Sequence, residues 1–232
     1  MNAVDSQGTL TPIQVSDIMD KVKHHVQDHL RDQFPQYLQS ALAELLARKP
    51  QTRKEKSFIE EMRLDPTNLN LIERYASWLS EDMLDTDRVE AIYNYALLIA
   101  PSSARFHFLK AEVLCNSKGK IYDAEMSYRA ALMYEPHHTA ALTSYGRLLL
   151  DEFNDAEGAA QRLELAMAAD PANVETLCQR ARTYEACGDA GAAERMYRRA
   201  LRADPGDAEG LNNYAGLLMQ ANRACLQCHS SE

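Results

Sequence analysis

Five of the eight prolines stand at residues 66, 101, 136, 171 and 205, so four consecutive intervals measure 35, 35, 35 and 34 residues. Their contexts are alike: RLDP, LIAP, MYEP, AADP and RADP. A fixed period of about 20–50 residues marks a stack of one repeated supersecondary unit, each copy burying its face against the next. Counting back five residues from each proline gives Glu61, Ala96, Ala131, Ala166 and Ala200; counting back eight gives Phe58, Tyr93, Tyr128, Leu163 and Tyr197. Small and large residues therefore recur at fixed phases, as close helix contacts alternating with wedging side chains require.

Each interval holds two helical patterns around a short break. Over 173–205, Leu177, Ala181 and Tyr184 repeat at i, i+4 and i+7, Gly188-Asp189 interrupts, and Ala193, Tyr197, Ala200 and Leu201 resume the period. Glycine suits a left-handed helix C-cap, and Asp204-Pro205 stops the second helix because proline disfavours helix in the residue before it. Composition agrees, since 61 alanines and leucines stand against 14 valines and isoleucines, which favours helix over sheet.

These residues resemble the tetratricopeptide repeat, a 34-residue helix–turn–helix with small residues at its eighth, twentieth and twenty-seventh positions and proline at its thirty-second. Ala181, Ala193, Ala200 and Pro205 fall on those positions, and Tyr184, Gly188 and Tyr197 also match. The repeat ending at Pro136 matches through Ala111, Gly119, Ala124, Tyr128 and Ala131, and that ending at Pro171 through Gly146, Leu149, Ala159 and Ala166. The repeat ending at Pro101 matches through Ala76, Leu79, Tyr93 and Ala96, with Val89 at a small position. The Tyr75-Ala76-x-Trp78 stretch has the flavour of the half-a-TPR repeat, but the regular prolines and single tryptophan argue against that type. The resemblance implies an all-α, right-handed superhelical solenoid of about five repeats that binds protein without enzymatic chemistry.

The expected organisation is an N-terminal tail and capping amphipathic helix over 1–33, a degenerate repeat over 34–66, the array over 67–221 and a C-terminal tail over 222–232. Thr11-Pro12 opens the first helix, whose apolar face is Val15, Ile18, Met19, Val22, Val26 and Leu30. In the degenerate repeat Leu38, Leu42, Leu45 and Phe58 are in phase, but Lys54 and Glu61 replace small residues. The basic run RKPQTRKEK over 48–56 reads as a solvated connection between helices. The last first-helix, over 207–221, carries Leu211, Tyr214, Ala215 and Leu218, with no second helix expected to cover it. The end helices are therefore candidate sites of self-association or assembly contact.

A net charge of −9 and pI near 5.3 disfavour nucleic acid and anionic lipid, which need a basic surface. No run approaches the roughly 18 apolar residues of a membrane span, and no export or transit pattern opens the chain, so a cytoplasmic protein is expected. Phosphate loops, nucleophile elbows and zinc-protease motifs are absent from the sequence, and no cofactor is expected. Cys225, Cys228 and His229 form a C-x-x-C-H motif, which attaches haem or supplies half of a zinc site in other contexts; here an irregular tail is the reading. His25 and His29 at i, i+4, beside His24 and Asp28, read as a solvated stripe.

The resemblance further implies that the first helix of each repeat lines a concave groove. The stripe one residue beyond the packing positions then faces a ligand: Glu73, Ser77 and Ser80; Phe108, Glu112 and Cys115; Thr143, Arg147 and Leu150; Cys178 and its neighbour Gln179, Arg182 and Glu185; Asn212, Gly216 and Met219. Arg147 and Arg182 hold matching positions and are expected to pair with acidic groups of an extended or helical partner segment. Heat-shock chaperone tails are a poor fit, because Glu73, Ser77, Thr143 and Arg147 stand where the lysine and asparagine clamp would be.

Overall fold

The computed structural model describes residues 36–47, 50–117 and 119–229, and among them every regular element is helical. The chain divides into two compact units, Met1–Leu71 and Ile72–Glu232. The first holds a helix over 36–45 (α1) and α2 (Arg53–Leu64), within the stretch expected to be a degenerate repeat. Thr52 caps α2 by accepting from the Glu55 N–H, while the Glu55 carboxylate accepts from the Gln51 N–H. The basic run is thus partly helical: Arg53, Lys54 and Lys56 lie in the first turn of α2 and not in a connection. The expected N-terminal helix, with His24, His25, Asp28 and His29, lies outside the described residues.

The array follows as α3 (Leu69–Trp78), α4 (Thr86–Ile99), α5 (Ala104–Cys115), α6 (Ile121–Tyr134), α7 (Thr139–Asp151), α8 (Ala156–Ala169), α9 (Val174–Ala186), α10 (Ala190–Ala203) and α11 (Ala208–His229). These pair as hairpins, here named by their closing prolines: α5–α6 (Pro136), α7–α8 (Pro171) and α9–α10 (Pro205), while in the Pro101 repeat Arg88 of α4 donates to the Tyr75 hydroxyl of α3. First helices also meet the next first helix, α5 on α7, α7 on α9 and α9 on α11.

The small positions work as expected. Ala76, Ala111 and Ala181 in first helices, and Ala96, Ala131, Ala166 and Ala200 in second helices, are completely buried. Val89 is 1% exposed at its small position, so the looser repeat accommodates it. Tyr128, Leu163 and Tyr197 are also completely enclosed, each burial contributing about 2–3 kcal/mol. Gly146 completes the series for a local reason. A Cβ there would sit 2.8 Å from Leu163 Cγ, so the leucine that replaces tyrosine leans where alanine stands in the other repeats.

Two further periodic devices set the hairpins. Asn68, Ser103, His138, Asn173 and Asp207 cap successive first helices, each accepting from the backbone N–H three residues on. At the turn between the helices, Leu84, Gly119, Asn154 and Gly188 all have positive φ, at 52°, 80°, 52° and 78°. At Gly188 the Asp189 N–H reaches the Tyr184 carbonyl, closing the helix end as the sequence predicts. The Pro101 repeat departs from the others here, because leucine, unlike the glycines and Asn154, is poorly suited to the left-handed region and the preceding Leu79–Met83 is a π turn.

The last helix also departs from expectation. α11 runs to His229, so the C-x-x-C-H motif of Cys225, Cys228 and His229 is helical and not an irregular tail. Helix-forming Leu226 and Gln227, with no glycine or proline after Gly216, let it propagate.

Candidate functional site on the first helices

Along the first helices, charged side chains pair from one repeat to the next. Arg105 donates to Glu73, with Nε to Oε2 at 3.0 Å; Arg147 lies 3.7 Å from Glu112; Arg182 donates to Asp151 at 2.6 Å. The two arginines offered to an acidic partner are therefore already engaged by carboxylates of the preceding repeat. Carboxylates exceed cations on this face. Glu175 lies near Arg147, but partial burial, with Glu112 and Glu209 nearby, holds its carboxyl above the usual range.

Of the expected stripe, Ser77, Ser80, Asn212 and Met219 are exposed, and Glu73, Phe108, Glu112, Cys115, Arg147, Leu150, Arg182, Glu185 and Gly216 are half-buried. Three expectations are corrected. Thr143 is buried, its hydroxyl 2.7 Å from that of Thr176 on the next first helix. Cys178 is buried and its thiol donates to Asp207, the cap of α11; burial first, then that contact, pushes the thiol up to about 12. Gln179 is buried one position further round α9, where its side-chain oxygen accepts from Arg182. Thr143 and Cys178 face a neighbouring helix, Gln179 is enclosed on its own helix, and none of the three is available to a ligand. Phe108 packs on His138 and Tyr128, with ring centres at 5.2 and 6.4 Å.

Two cavities open on this face. One of about 210 Å³ lies between α3, α4 and α5, with Ser77, Ser80 and Glu81 on one side and Glu112 on the other. The second, of about 230 Å³, lies between α7 and α9 and includes Leu150, Asp151, Arg182 and Glu185. Sequence reasoning missed Glu81, Tyr93 and Asp151. The charge alternation at 31–35-residue separations, glutamate or aspartate in one first helix and arginine in the next, was the available signal for the pairing.

Among the described residues no group of three or more His, Cys, Asp or Glu side chains could hold a metal, and no helix is long and apolar enough to cross a membrane.

This geometry defines a helical-repeat protein, and comparison with known proteins names the repeat. Residues 179–217 match the tetratricopeptide repeat family model. Among solved structures, the chain resembles PilW, a widely conserved type IV pilus biogenesis factor, at 20% identity and TM-score 0.62, over 73% of this chain and 80% of that one. It resembles TTC0263, a thermophilic TPR protein of Thermus thermophilus, at 16% identity and TM-score 0.60, over 70% and 87%. A third is YrrB, a TPR protein with an unusual peptide-binding site, at 18% identity and TM-score 0.55, over 71% and 84%. At these identities the likeness concerns fold. The comparison with curated protein sequences gave no match. Residues 179–217 thus match the tetratricopeptide repeat, and the array as a whole shares the fold of tetratricopeptide-repeat structures.

Proposed function

We propose that this protein is a non-enzymatic interaction scaffold or adaptor that receives an extended segment of a partner protein on the face of its first helices. The observation that carries this reading is the pair of cavities between successive first helices, each about the volume of a large side chain and flanked by groups able to hydrogen-bond. Preorganisation is the mechanism. The inter-repeat ion pairs and the side-chain caps hold the face before a partner arrives, so binding orders the partner segment and costs the array little. YrrB, with its peptide-binding site, provides a precedent on the same fold. The acidic partner suggested by Arg147 and Arg182 is not favoured, since both are paired.

The test is affinity capture with wild type, Ser77→Trp and, as an outer-face control, Tyr122→Ala, partners being identified by mass spectrometry. A partner lost on Ser77→Trp and kept on Tyr122→Ala supports the reading; the reverse pattern moves binding to the second helices.

A second reading has its own observation. Leu177 and Leu142 are enclosed, but Leu211 at the same phase of α11 is 46% exposed, and Leu218 is 47% exposed where Leu114 and Leu149 are buried. An assembly contact through α11 would cover these residues. Loss of a captured partner with Leu211→Asp, and not with Ser77→Trp, would favour it.

A further inference from the structure

Tyrosine recurs at one phase of three repeats, and its hydroxyl is treated differently in one of them. Tyr128 donates to Glu112 and Tyr197 to Glu185, each glutamate standing on the first helix of the same repeat. The Pro101 repeat has Ser77 and Ser80 at the two corresponding phases. Their side chains end several bonds short of where a glutamate carboxylate would lie. Tyr93 is 4% exposed, yet its hydroxyl has no hydrogen-bond partner among the described residues. The one enclosed side-chain polar atom without a partner among them is Arg162 Nε, so the Tyr93 hydroxyl keeps contact with open space. That space is the cavity of about 210 Å³ which Tyr93 lines.

We infer that this cavity is a pocket for a cationic side chain, lysine or arginine, of the partner segment; the inference rests on the reading of the first-helix face as the binding surface. Val89, Leu109 and Val113 supply an apolar wall for an aliphatic stem. The polar groups able to meet its head are oxygens: the hydroxyls of Ser77, Ser80 and Tyr93, and the carboxylates of Glu81 and Glu112. The Asn116 amide, the one side-chain nitrogen in the wall, gives one of its two N–H groups to the Glu112 carbonyl. No cation lines the cavity; Glu112 is held from behind by Tyr128 and Arg147, and no described side chain pairs with Glu81, which is exposed at the rim and is the carboxylate open to a cationic head. Tyr93 remains a neutral phenol well above physiological pH, burial having pushed it to about 12, so its oxygen is able to accept from an ammonium or guanidinium. An anionic side chain would meet the unpaired carboxylate of Glu81, and an apolar one would leave the hydroxyls unmatched.

The test needs no knowledge of the partner. The full chain, labelled with nitrogen-15, is titrated with N-acetyl-lysine methylamide and with its norleucine and glutamate counterparts. The expected result is saturable shifts at the amides of Ser77, Ser80, Glu81, Val89 and Asn116 with the lysine compound, about fivefold weaker binding of norleucine and no binding of glutamate. Glu81→Gln is expected to weaken lysine binding about threefold, the size of one partly exposed ion pair. Ser80→Phe, with circular dichroism unchanged, is expected to abolish it. Norleucine binding as tightly as lysine, a preference for glutamate, or no saturable shift at these amides overturns the inference. A partner that wild type holds, and Ser77→Trp loses, would leave the binding face standing even then.

Discussion

The Pro101 and Pro136 repeats share a backbone plan and a tyrosine at the same phase, but one closes on itself and the other stays open. In the Pro136 repeat, Tyr128 is enclosed and donates to Glu112, which also lies beside Arg147. In the Pro101 repeat, serines replace the glutamate, the hydroxyl of Tyr93 is unmatched and a cavity remains. The difference shows how a repeat scaffold acquires a site. The framework residues are kept, and shortened side chains at Ser77 and Ser80 on the facing segment leave a pocket where a glutamate would pack.

The largest expected effect separates the two tyrosines directly. Tyr128→Phe removes the donor to a partly buried carboxylate and is expected to cost about 1–2 kcal/mol in urea unfolding, while Tyr93→Phe changes stability by less than about 0.5 kcal/mol. Equal losses would erase the contrast. Next is the turn. Gly119 and Gly188 take positive φ without a side chain, and Leu84 at φ 52° does not; Leu84→Gly is expected to stabilise the array by about 0.5–1 kcal/mol, seen as a raised denaturation midpoint. Ser77→Gln should close the Pro101 repeat as Glu112 closes its neighbour. Its amide oxygen accepts from Tyr93, gaining about 0.5 kcal/mol, and binding of the lysine compound disappears.

The remaining effect is confined to the alkaline limb. Tyr93 is held at about 12 in the folded chain against about 10 when unfolded, so it favours folding below pH 10 and loses that contribution as pH rises to 12. Tyr93→Phe is therefore expected to flatten the fall of stability between pH 10 and 12, measured by urea titration across that range. An unchanged slope would show that the phenol is not held in a desolvated site.

Much of this fold is legible in the sequence because its constraints are periodic. The prolines mark the hairpin ends, alanine and tyrosine mark the contacts, and Gly188 marks a turn. The caps Asn68, Ser103, His138, Asn173 and Asp207 were equally readable at 35, 35, 35 and 34 residues, with histidine the one uncommon choice. The site was less legible. A stripe drawn on one helix says nothing of how closely the next helix approaches, and Thr143 and Cys178 are buried by that approach. Charge type likewise conceals pairing: Arg147 and Arg182 read as ligands for an acidic partner until Glu112 and Asp151 are seen beside them. The cavity arises from what is missing at Ser77 and Ser80, which becomes visible only against the equivalent glutamates.

The most direct test is to label the tyrosine rings with carbon-13, assign Tyr93 and Tyr128 from their phenylalanine variants, and titrate with N-acetyl-lysine methylamide. The account predicts that the Tyr93 ring signal moves saturably while the Tyr128 signal stays in place. Movement of Tyr128 alone, of both alike, or of neither would contradict the claim that the open repeat is where this scaffold takes its ligand.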